Sequence, residues 1–175
     1  AAKIDIIAQK REAAALGMTQ TANNIFFNGK ADKNVRGLLN DVDLNPAITL
    51  PVSAANPASS KLKYKTYEEI VHDIILMFNS IVAKAGNNVN IGDRTQKMKL
   101  CLYGEDASFL VQPNTYGRTA LEWINTTFPG LEIVTAQQYF VTTADSGNKM
   151  QLIIDKVDNK KVIRNGFAYQ FMAHR

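Results

Sequence analysis

The sequence is poor in the side chains that usually announce chemistry: among 175 residues there are one cysteine, one tryptophan and two histidines. A lone thiol, Cys101, excludes an intramolecular disulfide and a cysteine-rich zinc centre. The histidines, His72 inside a helical pattern and His174 one residue from the end, give no paired ligand spacing, so no metal is expected. Long apolar runs are missing as well. None approaches the roughly 18 to 20 residues that a bilayer-spanning helix needs, so no membrane partner is expected. The first residues carry no basic stretch followed by an apolar stretch and a cleavage site, so they do not read as a signal peptide. Charge of one sign is not concentrated either. The net value is +4, and the basic residues are scattered over Lys10, Arg11, Lys61 to Lys65, Lys97, Lys99 and Lys156 to Arg164. A nucleic-acid reader usually gathers such charge on one element.

What is present is periodicity. From Ala1 to Phe27, Ile4, Ala8, Ala15, Met18, Ala22 and Ile25 recur at steps of about three and four, which predicts a helix of about seven turns. Its apolar stripe is mostly alanine, so a packing partner would have to come close. Gly17 should cost that helix about 1 kcal/mol relative to alanine unless a neighbouring backbone approaches there. Asn28 and Gly29 supply the stop. Between Lys30 and Lys65 the helical period disappears. Pro46, Pro51 and Pro57 punctuate this stretch, and "SAANPASS" reads as a solvated loop.

Thr66 and Glu69 form a capping box that opens a second helix. Its core face is Ile70, Ile74, Phe78, Ile81 and Val82, and Gly86 ends it. "KMKLCLY" alternates as a strand, with Cys101 on the lysine side. "GEDASFLVQP" is a short helix stopped by Pro113, with Glu105 and Asp106 favouring its amino-terminal dipole. Thr119 and Glu122 cap "ALEWINTTF", with Trp123 read as a core residue. "LEIVTA" and "KMQLIIDK" are strands, and "NKKVIRNGFAYQF" is ambiguous. The order of helix, loop, helix, strand, helix, helix, strand, strand predicts an α+β fold without regular βαβ alternation.

Few residues could carry catalysis. Cys101, His72 and Asp73 would make a nucleophile system only if a base stood beside the thiol. Asp73 points about 100° from His72 on a helix, and Cys101 lies on a strand among lysines. "AGNNVNIGD" has neither Walker nor dinucleotide glycine spacing and reads as a turn. No catalytic, cofactor-binding or metal-binding residue is therefore named, and no small-molecule substrate is expected.

Element order is the stronger signal. An alanine-lined helix ending in "ANNIFFNG", then "VRGLLND", then "TYEEIVHDIILMFNSIVAKAGN", a strand leading into "GEDASFLVQ", and finally "GRTALEWINTTFPGLEIVTAQQY" together resemble the major capsid proteins of tailed bacteriophages with the Hong Kong 97 type fold. The resemblance implies a long spine helix and a peripheral-type domain over 1–112. It also implies an axial-type domain over 113–150, with residues 151–175 in strands of unassigned membership. The arm that precedes the spine helix in that family and the return segment after "NGFAYQFMAHR" are not in this sequence, so a subunit core with both ends missing is expected.

The resemblance implies a non-enzymatic shell subunit of a phage or prophage, found in the virion capsid and made in the bacterial host cytoplasm. Its partners would be copies of itself and, by weak non-specific contact, packaged DNA. It also suggests a use for the leucine pair after the first helix. Ile25, Phe26, Gly37, Leu38, Leu39 and Asn40 become candidates for subunit or domain packing, the leucines anchoring the loop and Gly37 permitting its turn. Two other readings stand beside it: a bacterial nanocompartment shell protein, and a small basic nucleic-acid-binding or ligand-binding α+β domain.

Overall fold

The first helix sets the frame of the amino-terminal part. In a computed structural model, which describes residues 6–41, 44, 47–85, 89, 95–141, 147–157 and 160–161, α1 runs unbroken over Ile6–Asn28. Gly29 ends it in the left-handed region, with φ 67°, as its position after Asn28 predicts. The chain divides into two compact units, residues 1–48 and 49–175.

In the first unit no residue of α1 is buried, and only Ile25, Phe26 and Phe27 near its end are half-covered. The alanine stripe thus does not serve as a buried face, contrary to the expectation from its spacing. Two physical reasons account for this. Alanine offers little apolar area to bury, and the larger apolar residues Ile6, Ile7, Leu16 and Met18 do not share one face. Among the described residues nothing lies within 4 Å of where a Cβ on Gly17 would stand, so none of them makes the close backbone approach considered for that glycine.

The second unit holds the core. Helix α2, Tyr67–Ala85, opens with the expected box: the Thr66 amide donates to Glu69 Oε2 at 2.7 Å and the Glu69 amide to Thr66 Oγ1 at 3.4 Å. Ile70, Ile74 and Phe78 are buried as the spacing predicts, joined by Met77 and Asp73, while Ile81 and Val82 are partly buried. Gly86, read as the stop, lies outside the described residues.

Strand β1, Met98–Leu102, is the centre of a three-stranded sheet. β2, Leu131–Thr135, pairs with it in parallel, Met98 opposite Leu131 and Leu102 opposite Thr135. β3, Gln151–Ile154, pairs antiparallel on the other side, Met98 opposite Ile154. A parallel pair needs a crossover, and two short helices supply it: α3, Gly104–Phe109, and α4, Ala120–Thr127. α4 carries the predicted Thr119–Glu122 capping box. Phe128 follows α4 and joins the layers, its ring 5.1 Å from Phe78 of α2 and edge-on to Trp123 at 5.7 Å. A two-residue ladder pairs β4, Lys156–Val157, with β5, Lys160–Lys161. The rest of the ambiguous "NKKVIRNGFAYQF" stretch lies outside the described residues. The fold is α+β, helices with a small mixed sheet.

One strand position differs from its pattern. Cys101 belongs by alternation with Lys97 and Lys99, yet it is buried while Lys99 is exposed. Tyr139, buried after β2, packs beside the thiol and donates its hydroxyl to Gln151 Oε1 at 2.9 Å. That cover comes from residues distant in sequence, which a local alternation cannot register.

Candidate functional site

The residues singled out near the end of α1 come together. A helix leaves its last four carbonyls without helical partners, and here all four are used. Gly29 N–H donates to the Ile25 carbonyl at 2.8 Å, continuing the helical pattern. The chain then turns back through a tight hairpin in which Lys30 and Val35 exchange both backbone hydrogen bonds. On its return Leu38 N–H reaches the Phe26 carbonyl at 2.8 Å and Leu39 N–H the Phe27 carbonyl at 2.9 Å. Asn40 completes the set, its Nδ2 donating to the Asn28 carbonyl and its Oδ1 accepting from the Gly37 amide, both at 2.7 Å.

Two glycines make that return geometrically feasible. A Cβ on Gly29 would stand 2.7 Å from the Gly37 nitrogen, and one on Gly37 would stand 2.5 Å from the Phe27 carbonyl oxygen. Leu38 and Leu39 are half-buried, beside a half-buried Ile25, Phe26 and Phe27 whose last two rings meet edge to face at 5.1 Å. The leucine pair therefore follows from backbone geometry: the peptide groups that carry it cap a helix, and its side chains are left half-buried.

A second polar centre, which the sequence signalled only through its capping box, holds the proline-punctuated segment against α2. Glu69 Oε1 accepts from the Ala54 amide at 2.7 Å in addition to its cap contact with Thr66. These backbone donors hold the Glu69 carboxyl below its usual range. Lys65 and Asp73 form an ion pair with both side chains almost fully buried. Burial pushes Asp73 up despite that partner. Asp106 in the first turn of α3 is also buried and accepts from Asn148 Nδ2 at 2.8 Å, and burial raises its carboxyl as well.

The residues weighed for nucleophilic chemistry do not form such a system. Asp73 is committed to Lys65, His72 is exposed on α2, and burial raises the Cys101 thiol away from the thiolate. Among the described residues no group of three or more His, Cys, Asp or Glu side chains could hold a metal ion, and no helix is long and apolar enough to cross a membrane. No buried side-chain nitrogen or oxygen among them lacks a hydrogen-bond partner. Lys65 with Asp73 and Asp106 with Asn148 hold segments of the fold together.

Such an investment in shape fits a structural building block, and comparison with known families gives the class: a phage major capsid protein. The chain belongs to the Pa193 gp26 major capsid protein family, whose model matches residues 1–175. That membership makes the protein a structural subunit of the virion capsid. No curated protein matches the chain.

Proposed function

We propose that the chain is the structural subunit of an icosahedral shell of the Hong Kong 97 type, made in the bacterial host cytoplasm and assembled around packaged DNA without catalysis of its own. The family match over the whole chain carries this reading. In it, α1 is the spine helix. The sheet centred on β1 is the element shared by a peripheral-type part, 1–112, and an axial-type part, 113–150. DNA contact is weak and non-specific, since the net charge is only +4 and spread along the chain.

Within this reading Ile25, Phe26, Leu38 and Leu39, on a backbone braced by Gly37 and Asn40, make a packing surface for another domain or subunit. Its support is that these apolar side chains sit half-exposed on a backbone fixed by hydrogen bonds. A rigid apolar patch loses little entropy when it is covered.

The full-length protein should form closed particles, seen by sedimentation velocity and electron microscopy across salt and protein concentration. Only monomers under all those conditions would overturn the reading.

A further inference from the structure

The turn between α3 and α4 is a surface loop whose backbone is fully specified. Pro113 and Thr119 pair as an isolated antiparallel bridge. Inside it the Asn114 amide donates to the Arg118 carbonyl at 2.8 Å, and the Gly117 amide to the Asn114 carbonyl at 3.0 Å. The Asn114 side-chain oxygen accepts from the amides of Tyr116 at 2.9 Å and Arg118 at 3.0 Å. Gly117 supplies the positive φ, 74°, that closes the turn.

None of this ordering serves to bury the loop's own side chains. Thr115, Tyr116 and Arg118 are all exposed, and Tyr116, at 87%, is the most exposed of the large apolar side chains described. Within the described residues neither the Tyr116 hydroxyl nor the Arg118 guanidinium has a hydrogen-bond or ion-pair partner. Fixing a residue's backbone costs roughly 1 to 2 kcal/mol. A loop that is ordered in advance lowers the entropy lost on docking. Tyrosine and arginine are also the side chains in which interface binding energy tends to concentrate.

We propose that this tip is a contact between copies of the chain, with Tyr116 seated on an adjoining subunit and Arg118 bonded to an acceptor there. The inference rests on the shell-subunit reading and goes beyond it by naming the contacting side chains. Local charge argues for a protein occupant rather than nucleic acid. From Tyr103 to Phe128 the exposed charges are Arg118 against Glu105 and Glu122, a net of −1, since Asp106 is buried against Asn148. Phosphate recognition requires the opposite balance. The whole chain is at +4, so this mildly acidic stretch on one copy complements the more basic remainder of the next.

The test uses the full-length protein carrying a benzophenone side chain in place of the Tyr116 phenol, irradiated after assembly. Covalent dimers of the capsid subunit are expected. Adducts to nucleic acid, or no adduct in assembled particles, would overturn the proposal. A second arm compares wild type with the double variant Tyr116→Ala, Arg118→Glu at equal concentration. Thermal unfolding of the unassembled subunit should be unchanged, because both side chains are exposed and have no hydrogen-bond or ion-pair partner among the described residues, while particle yield falls at least about tenfold. Particles at wild-type yield would sink the inference and leave the capsid reading standing. No particles from wild type would sink both.

Discussion

Gly29 and Gly37 meet backbone to backbone at the end of α1, so close that a Cβ on either would overlap main-chain atoms of the other's segment. The expected result is that Gly37→Ala destabilises the first unit by about 2 to 3 kcal/mol, as overpacking does where neither backbone can yield. Gly29→Ala adds the strain of a positive φ, 67°. Gly17→Ala should do the reverse and stabilise α1 by about 0.5 to 1 kcal/mol, since it gains helix propensity and meets nothing. Urea unfolding followed by far-ultraviolet circular dichroism would check all three. Equal effects at positions 17 and 37 would contradict the close crossing.

Asn40→Ala removes both the donor to the Asn28 carbonyl and the acceptor of the buried Gly37 amide. A loss of about 1 to 3 kcal/mol is expected, mostly from the unsatisfied amide. Hydrogen exchange should show faster exchange at the Gly37, Leu38 and Leu39 amides with α2 unchanged. Uniform acceleration over the whole chain would count against a local role.

The buried pair of Lys65 and Asp73 should behave asymmetrically. Lys65→Met alone leaves a buried carboxylate and is expected to cost about 3 to 5 kcal/mol at neutral pH, whereas Lys65→Met with Asp73→Leu should be close to neutral. Burial already raises Asp73, so the single variant can shed part of its penalty by protonation. Its deficit should shrink as the pH falls from 7 towards 4. A deficit independent of pH would show that the penalty is not the charge.

Two carboxylates should give opposite acid responses. Glu69 is held low by the Ala54 and Thr66 amides, so its contribution is present above the ordinary value of 4.5 and lost as the pH falls through its lower folded value. Glu69→Gln leaves a single acceptor oxygen. It should cost about 1 kcal/mol at neutral pH and flatten that acid-side loss. Asp106 is raised by burial, so the stability linked to it is present below 3.8 and lost as the pH rises through the folded value. Asp106→Asn should therefore gain stability at pH 7, with the gain fading in acid. Denaturation midpoints measured from pH 3 to 7 would decide both signs.

The features legible in the sequence were those closed by near neighbours. Gly29 after Asn28 gave the end of α1, Thr66 with Glu69 gave the start of α2, and Thr119 with Glu122 the start of α4, because each depends on residues within one turn. Ile25, Phe26 and Gly37 to Asn40 were singled out through a family resemblance, as candidates for subunit or domain packing, and no spacing announces that they meet at the end of α1. The return of Leu38 and Leu39 to the helix carbonyls, the third role of Glu69 at Ala54 and the cover of Tyr139 over Cys101 were hidden. Each joins segments whose approach is set by the path of the chain between them. The exposure of α1 was misread for a related reason: a periodic stripe records which residues could be covered, and alanine gives that cover little to gain.

The sheet has a consequence for the order in which the protein forms on the ribosome. The end of α1 is closed by residues 26–40, a short span that can be completed soon after it emerges. β1 is different, because Met98 is paired with Leu131 on one side and Ile154 on the other. Its inner residue Leu100, buried in the finished fold between Ile133 and Leu152, has no second flank until the chain has been made past Leu152. Pairings so distant in sequence form slowly, and an unpaired apolar strand invites association with other nascent chains. The interval between translation of residues 98 and 154 therefore leaves this strand open to joining other chains in the wrong way.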